Sequence, residues 1–162
     1  MSGADNNPTS KPTPQPTLYL DDLKVGDRFS SAEHVLDEQQ ILAFARQFDP
    51  QPFHLSDAAA KNTMFGGLAA SGWHTAAITM RLLVTSGMPL QDGLIGAGGE
   101  ISWPQPTRAS DILHVESEII EITPSRSRPE RGIVKLRSET RNQRGEVLQL
   151  FVSKLVVWRK PA

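Results

Sequence analysis

Residues 68–86 read LAASGWHTAAITMRLLVTS, and the fold turns on what this stretch needs around it. Its spacing predicts a long helix, and Leu68, Ala69, Ala70, Ala76, Ala77, Ile78, Met80, Leu82, Leu83 and Val84 leave that helix apolar on nearly every side. A helix with so little polar face belongs inside a protein, not on its surface. Material to enclose it follows in the chain. EISWPQP (100–106), DILHVESEIIEI (111–122), GIVKLRSETRNQ (132–143) and EVLQLFVSKLVVWRK (146–160) alternate apolar with polar residues and favour β-branched types, the mark of strands. Asn142–Gly145 reads as a hairpin turn, and TPSRSRPERG (123–132) as a longer loop. In the last strand Val147, Leu150, Val152, Leu155 and Val157 do not share one parity, which requires a bulge or burial on both faces. One buried helix followed by a run of antiparallel strands is an α+β arrangement in which a sheet wraps the helix.

Upstream, LYLDDLKVGDRFSSAEHVL (18–36) offers a turn at Gly26–Asp27 between short extended segments. DEQQILAFARQF (37–48) reads as a helix capped by Asp37 and ended at Asp49–Pro50, because the residue before a proline avoids the α region. Pro50 and Pro52 are expected to hold DPQPFH (49–54) extended and stiff. SDAAAKNT (56–63) should form a short helix capped by Ser56 or Asp57. Residues 1–17 carry Pro8, Pro12, Pro14 and Pro16 among small polar residues and are expected to be a disordered tail, leaving 18–162 as a single domain.

Composition narrows the function classes. The chain has 162 residues, a formal net charge of -1 and 22% charged residues, so no global footprint of a nucleic-acid or membrane-surface binder is present. Cysteine is absent, which removes disulfides, thiolate metal sites and cysteine nucleophiles together. No apolar run is long enough to span a bilayer, and the opening residues lack the basic start and apolar stretch of a secretory signal, so a cytoplasmic location is expected. The four histidines make no pair with carboxylates at helical ligand spacing, and no metal is expected. Gly96–Gly99, GAGG, precedes a strand and not a helix, which argues against a phosphate loop.

Asp49 and His54, five positions apart on one stiff loop, form the chemical constellation. A carboxylate and an imidazole so placed can grip one water from two sides and move its proton. The Ser71–Gly72 pair near the start of the long helix could supply backbone N–H groups and the positive end of the helix dipole to a developing oxyanion. Arg126, Arg128 and Arg131 cluster in the loop between two strands and are candidates for contacting nucleotide phosphates. His74 could line the site, although pairing with a backbone carbonyl is the plainer reading. His34 and His114 show no partner in the sequence.

Three segments, DPQPFH, FGGLAASGWHT (65–75) and WPQPTRASDIL (103–113), resemble the MaoC-like acyl dehydratases, the family that includes the R-specific enoyl-CoA hydratases. The resemblance runs from about Leu18 to Arg159. It implies the hotdog fold, an antiparallel sheet closed around a central helix, with Asp49 and His54 as the catalytic pair and the Gly72 amide facing the thioester oxygen. It also implies reversible hydration of a trans-2-enoyl thioester, most simply a coenzyme A ester, to the (R)-3-hydroxyacyl product. Coenzyme A would enter only as part of the substrate, with no separate cofactor, and the chain would form a homodimer or a dimer of dimers. A hotdog thioesterase and a non-catalytic acyl-binding or assembly subunit are the alternatives. Three positions depart from the family pattern. Gln51 stands where asparagine is usual, Met80 where a serine lies near the active site, and Ser110 where glycine often precedes Asp111.

Overall fold

The computed structural model describes residues 16–162. The expected tail therefore lies outside the described residues up to position 15, while Thr17 bonds to Gln91 and Leu18 bridges Leu90, so the ordered chain begins by position 17.

Strands β1 (Arg28–Ser30), β2 (His34–Val35), β3 (Ile95–Ser102), β4 (Ile112–Pro124), β5 (Arg131–Arg141) and β6 (Val147–Trp158) form an antiparallel sheet in the order β1-β4-β5-β6-β3, with β2 also pairing β4. Four helices precede β3: α1 (Glu38–Phe48), α2 (Pro52–Leu55), α3 (Asp57–Ala60) and α4 (Gly72–Leu82), the last running into a π-helical turn, Leu83–Gly87. Ile78, Leu82 and Leu83 on the α4 side pack with Leu113, Val115, Ile119, Val134, Leu136, Leu155 and Val157 of the sheet in one core. This is the hotdog arrangement of sheet around helix.

The parity break in the last strand resolves as a bulge. Thr140 pairs with Gln149 but Arg141 pairs with Val147, leaving Leu148 as the extra residue, and Leu148 and Gln149 are both buried as a result.

Three expectations are corrected. The helix starts at Gly72, not Leu68, because the Ser71 hydroxyl accepts the Trp73 N–H as its cap, while Ala69 and Ala70 are drawn into extended backbone by bonds to Phe53 O and Thr107 O. It is not buried all round either. His74, Thr75, Ile78, Thr79 and Leu82 face inward, whereas Trp73, Met80 and Val84 are exposed, since one chain supplies a sheet layer on one side of the helix only. DPQPFH is extended only through Gln51. Pro52 opens α2 at its first helical position, where a fixed φ and a missing N–H cost nothing.

GAGG lies inside β3 and not before it. A register shift falls between Gly96 and Gly98, and a Cβ at Gly99 would meet Val152 O at 2.6 Å and the Phe151 ring at 2.8 Å. The glycines here let an edge strand close on β6. Ser110 takes φ 71°, the left-handed region that glycine fills more easily, directly before the buried Asp111.

Candidate active site

Asp49 is the C-cap of α1, and His54 lies in α2, so one turn of chain carries both side chains into the same place. Asp49 Oδ2 lies 3.4 Å from His54 Nε2. His54 is 5% exposed, and its Nδ1 lies 2.7 Å from the carbonyl of Ala69. A carbonyl oxygen only accepts, so Nδ1 carries the proton, and in the neutral ring Nε2 presents a lone pair beside the Asp49 carboxylate.

Two acceptors side by side are complementary to one water, which can donate a hydrogen to each and leave its oxygen lone pairs facing outward. The carboxylate is itself oriented. Ser71 Oγ donates to Oδ2 at 2.7 Å, and the Gln51 side-chain amide donates to Oδ1 at 2.7 Å. Burial works to raise the Asp49 pKa from its ordinary 3.8, but the bonds from Ser71 and Gln51 and the charge of His54 outweigh it and hold the carboxyl lower.

Gln51 thus keeps an amide on the carboxylate from a longer arm. Met80 lies two turns along α4 from Gly72, exposed and outside this site, and the hydroxyl that orients Asp49 comes from Ser71. Ser71 is fully buried and its hydroxyl is committed to Asp49 and to the Trp73 N–H, so its side chain does not face a substrate oxygen.

Gly72, His54, Phe65, Thr75, Trp103 and Thr107 help to line a cavity of about 280 Å³. The Gly72 N–H, at the first position of α4, has no partner among the described residues, as befits an unpaired donor at a helix start. The reason for glycine differs from the expected one. A Cβ there would sit 2.7 Å from Trp103 Cε2, so the absent side chain makes room for the indole.

Arg126, Arg128 and Arg131 do not reach this cavity within the chain. They belong to the β4–β5 connection, where Arg128 pairs with Glu130 and Arg131 lies over the Trp158 ring. From Arg131 to Thr140, beside Gln149, β5 runs nine residues, roughly 30 Å at strand spacing. His74 neither lines the cavity nor meets a carbonyl. It is stacked on Phe44 with ring centroids 4.6 Å apart, its Nδ1 has no hydrogen-bond partner, and burial, helped by His34, lowers its pKa to about 4. His34 pairs with Gln40 and His114 lies beside Glu116.

Two contributors escaped the sequence reading. Arg108 donates to the carbonyls of Phe65, Gly67 and Leu68, and so ties down the strap that forms one wall beside His54. Gln149, fully buried, holds the Trp103 indole N–H at 2.9 Å. A polar residue on an apolar strand was the available signal for Gln149. Arg108 gave none. No group of three or more His, Cys, Asp or Glu that could hold a metal occurs among the described residues, and none of their helices is long and apolar enough to cross a membrane.

The family model for the MaoC like domain matches residues 20–140. A MaoC-like dehydratase from Rhodospirillum rubrum superposes with a TM-score of 0.89 at 63% identity, covering 90% of this chain and 99% of that one. The 3-hydroxybutyryl-CoA dehydratase of Methylorubrum extorquens is 31% identical over 112 residues, 68% of this chain and 69% of that protein. The R-hydratase PhaJ1 from Pseudomonas aeruginosa, at 24% identity and a TM-score of 0.71 over 89% of this chain and 88% of its own, shares the fold.

Proposed function

This chain belongs to the MaoC-like dehydratase family, and on that footing we propose that it reversibly adds water to a trans-2-enoyl thioester, most simply a coenzyme A ester, giving the (R)-3-hydroxyacyl thioester. The observation that carries the reading is the paired placement of Asp49 Oδ2 and His54 Nε2, 3.4 Å apart, with His54 and the unpaired Gly72 N–H on one cavity. A water donating to both acceptors is held with its oxygen free to attack. The substrate carbonyl is the electron sink, so the site needs a donor at that oxygen, and Gly72 N–H at the positive end of α4 is suited to it.

In the forward direction the water oxygen bonds to the β-carbon, the alkene electrons move towards the carbonyl, and charge gathers on the thioester oxygen. The Asp49–His54 pair takes one proton from the water and a proton is returned to the α-carbon, so the reaction is balanced without a redox or metal partner. The same groups exchange roles in the reverse direction. The R course follows the hydratases that the sequence resembles. Hydrolysis of the thioester would need the water displaced along the substrate to the carbonyl carbon, away from the end of the conjugated system opposite Gly72.

Association into a homodimer is part of the proposal. β3 ends the sheet order with one edge unpaired, and Trp73, Met80, Val84 and Ile95 are exposed beside it. A cytoplasmic site of action fits the substrate class.

Asp49→Asn and His54→Ala test the mechanism. Each is expected to lower turnover on crotonyl-CoA at least about 100-fold with the fold intact by circular dichroism. A folded variant within a factor of about three of wild type would remove that residue from the mechanism.

A further inference from the structure

A second, larger cavity of about 460 Å³ lies further along the same face of α4, lined among others by Trp73, Thr79, Met80, Leu83, Ile101 and Phe151. The first cavity is bounded by Gly72, Thr75 and Trp103. The two therefore follow one another in the groove between α4 and the β3–β6 edge. What stands between them is an aromatic pair: Trp103 from the first cavity and Trp73 from the second meet edge to face, with centroids 5.3 Å apart.

Trp103 is not free to swing. Its ring fills the space over Gly72, and its Nε1–H donates to Gln149 Oε1 at 2.9 Å. Gln149 is fully buried and donates from Nε2 to Thr79 Oγ1 at 3.1 Å. The Thr79 hydroxyl proton is directed at Thr75 O, so Thr140 donates the remaining bond to Thr79. Each of these buried polar groups has a partner, and such a satisfied network fixes a single arrangement. A fully buried glutamine in an apolar strand is costly to place without such partners. Here they anchor one indole.

The geometry points to Trp103, locked by Gln149, as a specificity-determining partition that confines the acyl chain to the smaller cavity and closes it off from the larger apolar one, so that this protein favours short acyl groups. The inference rests on the reading of the site as one for acyl thioesters. Trp103 acts by filling space and Gln149 by positioning it; neither moves a proton.

The test compares wild type with Trp103→Ala, Trp103→Leu, Trp103→Phe and Gln149→Leu on two substrate pairs. Hydration is followed with crotonyl-CoA and trans-2-octenoyl-CoA, and binding of the saturated esters butyryl-CoA and octanoyl-CoA is measured by titration calorimetry. In wild type the short ester is expected to lead in both measurements. Trp103→Ala should shift the octanoyl-to-butyryl affinity ratio, and the corresponding kcat/KM ratio, towards the long chain by at least about tenfold, the scale of discrimination in apolar pockets. Trp103→Leu should shift it less, Gln149→Leu in the same direction, and Trp103→Phe should hold it within a factor of about three. A purely structural role would lower the melting temperature and leave these ratios where they were.

Equal affinity of wild type for the two saturated esters, or an unshifted ratio in folded Trp103→Ala or Trp103→Leu, would overturn the partition. The saturated esters cannot be hydrated, so their titration reads the partition even if neither enoyl ester turns over, an outcome that would count against the hydratase reading alone.

Discussion

Ser71 does two jobs with one hydroxyl: it caps α4 by accepting the Trp73 N–H and donates to Asp49 Oδ2. Removing it leaves burial less opposed, so the Asp49 pKa should rise. In Ser71→Ala the acid limb of the kcat/KM profile is expected at higher pH than in wild type; a coincident limb would show that this bond does not tune the carboxylate. The sign of the stability effect follows from the same shift. Asp49 is held below 3.8 in the folded chain, so its contribution is present above that pH and is lost as pH falls through the folded value. His74 works over a different range. Buried and neutral, with a folded pKa of about 4 against 6.5 unfolded, it contributes fully above pH 6.5 and loses that contribution as pH falls towards 4. His74→Phe, which keeps a ring against Phe44, should flatten the fall in stability between pH 6.5 and 4 seen in urea unfolding. An unchanged slope would place the pH sensitivity elsewhere. Asp49 and His54 were legible from their spacing together with the resemblance, because the loop between them is short and proline-bearing. The stacking of His74 on Phe44 was not, since it joins two helices whose packing no local pattern fixes.

The start of α4 is set by a close approach between elements. Gly72 must lack a side chain because the Trp103 ring lies within 3.0 Å of where a Cβ would be. Gly72→Ala is expected to cost about 1–3 kcal/mol, as overpacking does, a fall of several degrees in melting temperature for a domain of this size. Adding Trp103→Ala should relieve that clash, so the glycine substitution costs less in the double variant than alone. Strictly additive losses would mean that the contact is not the cause. The strands and α1 could be read from periodicity and the Asp37 cap, which are local signals. The true start of α4, the turn at Pro52–Leu55 and the strand character of GAGG could not, because each depends on a partner remote in sequence: Thr107 O for Ala70, Ala69 O for His54 and Val152 for Gly99.

At the scale of the molecule, an apolar helix read as buried on all sides turns out to be covered on one, and the uncovered side carries Trp73, Met80 and Val84. β3 beside it ends the sheet. A second copy laid against this face would extend the sheet and cover the residues together, so light scattering at micromolar concentration is expected to give at least the mass of a dimer. Monomer alone would show that the exposed face is tolerated. Above all of these stands the claim that the water held by Asp49 and His54 is delivered to an alkene and not to a carbonyl. Incubation of the purified protein with crotonyl-CoA, with the enoyl-thioester absorbance and free thiol followed in parallel, tests it in one experiment. Absorbance should fall while thiol stays flat, and chiral analysis should find the (R)-3-hydroxybutyryl ester. Thiol released in step with the absorbance loss, or no reaction across a panel of enoyl-CoA chain lengths, would contradict it.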